Sequence, residues 1–276
     1  MPELPEVEVI ARGLHRTVQG RTVVRAAYVD LTRLSDLAED LIPRLEGRTV
    51  ARVHRRAKVL LMDLDNGWTL VFHLKMTGRV VHGPKRAANG HDRLLLLLDD
   101  DSQLSFSDMR KFGYVRIFPP GELEQWDFLQ RVGPEPLSTD AAELAERIGC
   151  RSGCIKGLLL NQQVVAGIGN IYADESLFRA GLNPQARADR VPPEQLCTLC
   201  SELQAVLRQA IAENGSSIRD YVNADGDAGA FQNSFNVYGR KGEPCRVCGT
   251  PLVAVKVAGR TSTFCPHCQP GGRKNR

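Results

Sequence analysis

The residues of this chain whose type and spacing imply chemistry lie at its two ends. It begins Met1-Pro2-Glu3, and removal of Met1 would leave Pro2 as a free secondary amine. An α-amino group titrates at about 7.7–8.0 and a lysine at about 10.4, so near neutral pH roughly a third of the former is unprotonated, against about one part in a thousand of the latter. A secondary amine attacking a sugar carbon at C1′ gives an iminium, whose persistent positive charge is an electron sink for elimination. Glu3, next along, suits a general acid that protonates the sugar ring oxygen or a departing base. The same residues also make an ordinary helix start, where prolines and acids are both favoured.

Near the other end, Cys245-x-x-Cys248 and Cys265-x-x-Cys268 are separated by residues 249–264. Each pair can sit on a tight turn and aim two thiolates at one ion, the ligand spacing of a zinc ribbon. Pro244, Gly249 and Pro266 supply turn chemistry. Four protein ligands imply a structural zinc rather than a catalytic one. His267 lies inside the second pair and is an alternative ligand. Cys197 and Cys200, spaced i,i+3, share a helix face with Leu203, Leu207 and Ile211 and are expected in a core. Cys150 and Cys154 are also expected to be structural.

The elements that must position these groups follow from periodicity. Val7, Ile10, Leu14 and Val18 predict an amphipathic helix after Pro5. Val59–Leu64, an Asp65-Asn66-Gly67 turn and Trp68–Leu74 predict a hairpin. Arg93–Leu98, Gln103–Ser107 and Gly113–Phe118 continue the β rhythm of an antiparallel sandwich or barrel. Gly133-Pro134-Glu135-Pro136 marks a linker. Helices are predicted beyond it over Ala141–Ile148, Cys154–Gln163, Tyr172–Ala180 and Pro193–Glu213, the last ending at Asn214-Gly215. Residues 216–234 are polar and glycine-rich and predict a long functional loop. Leu252–Lys256 and Thr261–Phe264 predict a hairpin within the zinc segment, with Lys256 and Arg260 near its turn.

The 276 residues suit two domains, or one plus a small module, and a 42% hydrophobic content is enough for packed cores. The formal net charge of +4 is mildly basic. Arg52, Arg55, Arg56 and Lys58 cluster in one stretch, and Arg273, Lys274 and Arg276 form another, either nucleic-acid contacts or solvated surface. No stretch approaches the ~20 apolar residues of a membrane span, and Glu3, Glu6 and Glu8 speak against a signal peptide. The expectation is a cytoplasmic protein with no membrane partner.

Five motifs occur in order: Met1–Glu8 (MPELPEVE), Leu74–Gly78 (LKMTG), Ser105–Gly113 (SFSDMRKFG), Gly167–Tyr172 (GIGNIY) and Val237–Cys245 (VYGRKGEPC). With the zinc cysteines they closely resemble the bacterial formamidopyrimidine-DNA glycosylase family over nearly the whole chain. The resemblance implies an α+β fold, with an N-terminal helix and antiparallel β-sandwich over 2–132. A helix–two-turns–helix domain would span 133–236 and carry a loop at 216–234 that closes over a flipped base. A four-cysteine zinc finger, with one structural zinc ion, would span 237–276. It also implies excision of oxidised purines, chiefly 8-oxoguanine and formamidopyrimidines, from duplex DNA, β,δ-elimination at the resulting abasic site, and action as a monomer.

By the same resemblance Pro2 is the Schiff-base nucleophile, Glu3 the general acid and Glu6 a supporting acid. Lys58 is a lysine near the target phosphate, and Arg260 belongs both to the catalytic set and to the DNA contacts. Met76, Arg110 and Phe112 match the residues inserted into the hole left by a flipped base, as apolar wedges and a donor to the orphaned partner suit. Lys156 and Asn170 would bind phosphates around the lesion. His73, His91, Tyr172, Tyr238 and Lys241 are further DNA-contact candidates. Two rival functions are an endonuclease VIII-like glycosylase for oxidised pyrimidines and a non-catalytic DNA-binding protein. Leu4 and the Met76/Arg110/Phe112 set favour the purine enzyme over the first, and Pro2-Glu3 disfavours the second.

Overall fold

The computed structural model describes residues 1–28, 42–217 and 221–271; Arg273, Lys274 and Arg276 lie outside the described residues, as do positions 218–220 of the long loop. Helix α1 (Leu4–Val18) starts where Glu3 and Glu6 cap one another reciprocally, with proline in the first turn. Its Val7, Ile10, Leu14 and Val18 are all buried, as their spacing predicts. Among the described residues eight strands follow: β1 (Val23–Tyr28), β2 (Val50–Arg56), β3 (Val59–Leu64), β4 (Thr69–His73), β5 (Gly78–Pro84), β6 (Asp92–Leu98), β7 (Ser102–Asp108) and β8 (Tyr114–Phe118). They pair into two antiparallel sheets, ordered β1-β6-β7-β5 and β2-β3-β4-β8.

The two sheets and α1 share one core, to which Leu60, Met62 and Phe72 come from one sheet and Leu94, Leu96 and Phe106 from the other. The rings of Phe72 and Phe106 meet edge to face at 5.7 Å. Val59, Leu61 and Val71 point to the opposite face, where Phe118, Trp126 and Phe128 cover them. Both faces of β3 are therefore buried, which explains why its sequence is a continuous apolar run rather than an alternation.

The chain divides into two units, one of residues 1–130 and 213–232, the other of 131–212 and 233–271 within the described residues. The short α2 (Asp127–Arg131) runs up to the first boundary. The second unit holds α3 (Ala141–Gly149), α4 (Ile155–Leu160), α5 (Asn170–Arg179), α6 (Pro193–Ala212) and the hairpin of β9 (Val253–Val257) and β10 (Arg260–Phe264). Leu196, Leu199, Cys200, Leu203 and Leu207 form the buried stripe of α6, and burial pushes the Cys200 thiol up to about 12. Among the described residues no helix is long and apolar enough to cross a membrane.

One local expectation needs correcting. The helix over Cys154–Gln163 stops at Leu160, because Asn161 takes an extended conformation and its Oδ1 accepts the Gln163 N–H at 3.0 Å, closing a turn. Of the expected 216–234 loop, the described residues up to Gln232 fall within the first unit. Asn214 and Gly215 both adopt positive φ and end α6 as expected. The carbonyl of Ala224 then accepts the His82 N–H at 3.0 Å, and the Ala224 methyl fills the space beside Gly13, where an added Cβ would lie 2.7 Å from it.

Candidate active site and metal centre

At the N-terminus, Met1 is 45% exposed, whereas Pro2 is buried and Glu3 is only 4% exposed. The Pro2 nitrogen is held in the Met1–Pro2 peptide, so amine chemistry there requires loss of Met1. The Glu3 backbone N–H donates to Glu6 Oε2 at 2.8 Å, and the Ser216 N–H donates to Glu6 Oε1 at 2.9 Å. Glu6 is 1% exposed, so its carboxylate joins the start of α1 to the base of the 213–232 segment inside the unit. The Tyr221 hydroxyl donates to the Glu6 carbonyl at 3.5 Å, and burial together with the Glu6 charge raises the Tyr221 phenol above its ordinary value. Gly215 adopts φ 78°, which favours glycine, and an added Cβ would press on Glu6 Cγ at 3.2 Å.

Beside this terminus lies a cleft of about 420 Å³ lined by Met1, Lys75, Met76, Lys111, Phe112 and Arg116, among others. Its walls are the turns after β4 and β7. Met76 and Phe112, the expected wedges, are 40% and 45% exposed, unusual for apolar side chains of this size. Arg110 is exposed beside them, with its guanidinium 4.8 Å from the centre of the Phe112 ring. His91 is likewise exposed, just ahead of β6.

Lys58, at the β2–β3 turn after Ala57 (φ 53°), is 8% exposed and so is no freely solvated surface charge. His73 stacks at 5.2 Å on Tyr114, and its Nδ1 accepts the Lys75 N–H at 3.2 Å. Burial, then the charges of Lys75 and Lys58, depress the imidazole to about 3. His73 is therefore neutral near pH 7, with Nδ1 committed as acceptor and Nε2–H as the available donor.

In the second unit, Arg260 is exposed at the first residue of β10, after a turn in which Ala258 and Gly259 both have positive φ, the two-residue hairpin geometry of type I′. The adjacent Thr261 carbonyl accepts from Asn170 Nδ2 at 2.9 Å and from Lys156 Nζ at 3.3 Å. Asn170 is the first residue of α5, following Gly169 as N-cap. Two candidates are placed differently from expectation. Lys156 is fully buried and ion-paired with Asp174 at 2.7 Å, so it braces the hairpin from inside instead of reaching out to a phosphate. Tyr172 is 0% exposed in the core of α5, with no surface to offer DNA. Tyr238 is half-buried with its ring 5.4 Å from Phe235, while Lys241 is exposed.

Sequence patterns alone did not single out Asp174 and Glu175. Asp174 accepts from Ser262 Oγ at 2.7 Å and from the Thr263 N–H at 3.0 Å. Glu175, 0% exposed, accepts the backbone N–H groups of Asn236, Val237 and Tyr238. Adjacent carboxylates on α5 thus hold the segment 236–238 that leads into the cysteine module, and its hairpin. The hint in the sequence is two adjacent acids flanked within the helix by apolar Ile171, Ala173, Leu177 and Phe178.

The four cysteines Cys245, Cys248, Cys265 and Cys268 present Sγ atoms all within 4.8 Å of one another. Sulfur separations are 3.9 Å for Cys245–Cys268 and 3.5 Å for both Cys248–Cys265 and Cys248–Cys268. Tetrahedral zinc with about 2.3 Å Zn–S bonds requires edges of about 3.8 Å, so the donor set fits the ion. The Val247 and Cys268 N–H groups point at Cys245 and Cys265 Sγ, a setting that favours thiolates. His267 is exposed and outside the cluster. The cluster holds one structural zinc.

Comparison with known proteins agrees with this geometry. Residues 1–115 match the formamidopyrimidine-DNA glycosylase N-terminal domain, 132–222 the H2TH domain of the same enzymes, and 242–271 a zinc finger found in FPG and IleRS. A formamidopyrimidine-DNA glycosylase of Geobacillus kaustophilus is 43% identical, covering 98% of this chain and 100% of the relative. One of Nitratidesulfovibrio vulgaris is 56% identical over 76% of this chain and 58% of its own length. The Lactococcus lactis Fpg complex with abasic-site DNA superposes with a TM-score of 0.90 at 33% identity, covering 98% and 100% of the two chains. A complex of the Lactococcus lactis G226P mutant with Fapy-dG DNA gives the same values. Sandwich, helical unit and four-cysteine finger together define an enzyme of DNA base excision repair. Within that class, the chain belongs to the formamidopyrimidine-DNA glycosylase family.

Proposed function

We propose that this protein excises oxidised purines, 8-oxoguanine and formamidopyrimidines, from duplex DNA and then cuts the strand by β,δ-elimination. The observation that carries this is the cleft at the N-terminus, which Met1 lines together with the wedge residues Met76 and Phe112. With Met1 removed, the Pro2 nitrogen attacks C1′ while Glu3 protonates the ring oxygen or the departing base. The base leaves, the C1′–O4′ bond then breaks as the ring oxygen takes a proton, so that C1′–N becomes an iminium, and loss of the C2′ proton expels the 3′ phosphate. A second elimination expels the 5′ phosphate, and water releases the amine.

Met76 and Phe112 enter the vacated base step and Arg110 bonds the orphaned partner base. Lys58, His73 and His91 contact backbone phosphates near the reacting sugar. Asn170 at the α5 N-terminus and exposed Arg260, Tyr238 and Lys241 contact phosphates from the second unit, where the helix dipole favours an anion. The zinc, with all four positions filled by Cys245, Cys248, Cys265 and Cys268, supplies folding energy to the hairpin that carries Arg260 and takes no part in bond breaking. The loop over residues 216–234 closes over the flipped base. The protein works as a cytoplasmic monomer on the nucleoid.

The test is single-turnover release of base from duplexes bearing 8-oxoguanine, a formamidopyrimidine or an oxidised pyrimidine. Fast release of both purine lesions is expected. Preference for the pyrimidine would move the chain to an endonuclease VIII-like specificity, and no release from any duplex would leave only a binder.

A further inference from the structure

The motif Ser105–Gly113 contains a buried acid that the chemistry above does not use. Asp108 is 1% exposed, at the end of β7. Its Oδ1 accepts from the Thr77 hydroxyl at 2.5 Å and from the Arg110 N–H at 3.1 Å, and its Oδ2 accepts from the Gly113 N–H at 2.6 Å. Its own N–H donates to the His91 carbonyl at 2.8 Å, and its carbonyl accepts from Arg93 Nη2 at 3.1 Å. Thr77 Oγ1 also accepts the Arg110 N–H at 3.2 Å, so the turn after β4 and the turn after β7 are tied twice. One carboxylate is bonded to the neighbours of Met76 and Phe112, to Arg110 itself and, through its backbone, to His91.

These turns need holding. Each carries a non-glycine residue in the left-handed region, Lys75 at φ 47° and Lys111 at φ 57°, a conformation that persists only where surroundings impose it. Gly113 leaves a side chain little room, because a Cβ would lie 3.0 Å from the His73 carbonyl oxygen and 3.1 Å from Asp108 Oδ2. Met76 and Phe112 are 40% and 45% exposed, so their direction depends on the turns that carry them.

We infer that Asp108, with Thr77, is a positioning residue that holds Met76, Arg110 and Phe112 in register for insertion beside a flipped base. The inference rests on the proposed function of those three side chains. A carboxylate suits the task, since its two oxygens accept three bonds at once. An asparagine keeps one acceptor oxygen but sets an N–H₂ against a backbone N–H.

The experiment follows wedge insertion by stopped-flow fluorescence of 2-aminopurine placed next to 8-oxoguanine in a duplex, with Asp108→Asn, Thr77→Val and Thr77→Ser beside wild type. Loss of a hydrogen bond to a charged group corresponds to about tenfold or more in rate, and that slowing is expected for Asp108→Asn and Thr77→Val. Thr77→Ser keeps the hydroxyl and is expected within about twofold of wild type. Thermal melts accompany each variant, and should Asp108→Asn fail to fold, Thr77→Val decides. Wild-type insertion rates in Thr77→Val, with a normal wild-type signal, overturn the inference alone. A wild-type protein giving no lesion-dependent signal overturns the proposed function and this inference with it.

Discussion

Glu6 receives two N–H groups from segments more than two hundred residues apart, Glu3 and Ser216, in a site that water does not reach. Glu6→Gln keeps the shape but only one acceptor oxygen, leaving one donor facing another. A buried donor without a partner costs about 1–3 kcal/mol, so single-turnover excision should fall by roughly ten- to a hundredfold, with a lower Tm. An unchanged rate would separate Glu6 from the catalytic terminus. His73 makes a pH prediction. Its folded pKa, about 3, lies below the value of about 6.5 for an unfolded chain, so below pH 6.5 the unfolded state binds more protons. Stability is intact above pH 6.5 and falls as pH drops toward 3, by at most about 1.4 kcal/mol per pH unit from this residue. His73→Gln should flatten that part of a Tm-against-pH curve; an equal slope in the variant would show that the histidine titrates normally.

At the scale of elements, the buried Lys156–Asp174 pair fastens α4 and α5 to the hairpin strand β10. Removing one member of a buried pair costs about 3–5 kcal/mol, so Lys156→Met should lower the urea midpoint sharply. Lys156→Met with Asp174→Leu should recover most of that loss. A double variant no better than the single one would mean that the Asp174 bonds to Ser262 and Thr263 carry the brace. This brace also marks the limit of what the sequence discloses. Val7, Ile10, Leu14 and Val18 gave α1 away, and the apolar run of β3 and the cysteine spacing were equally plain, because local periodicity and ligand geometry decide them. Lys156 and Tyr172 pass for surface contacts by motif. Only tertiary packing, which no local pattern encodes, puts them inside. Asp108, Asp174 and Glu175 escape notice for the same reason, since an acid is identified as an anchor only when its distant N–H partners are known. The docking of Ala224 against Gly13 turned a polar, glycine-rich stretch into part of the sandwich.

At the scale of the whole molecule, both tryptophans, Trp68 and Trp126, lie in the first unit, so their fluorescence reports that unit alone. Zinc chelation should abolish duplex binding while leaving that signal native, because the ion folds only the finger. A loss of tryptophan signal on chelation would make the metal a global stabiliser. Binding should also weaken steeply with salt, log Kd rising by about 0.9 per log unit of salt for each phosphate neutralised, and Arg260→Ala should reduce that slope by about one contact. Above all, the chemistry is assigned to one atom, the Pro2 nitrogen. Borohydride reduction of the Met1-processed protein on an 8-oxoguanine duplex, followed by peptide mapping, tests that assignment most directly. The expected product is a stable DNA adduct on the N-terminal peptide at Pro2, formed much less in Pro2→Gly. An adduct mapped to Lys58 or another lysine, or no adduct at all, would contradict it.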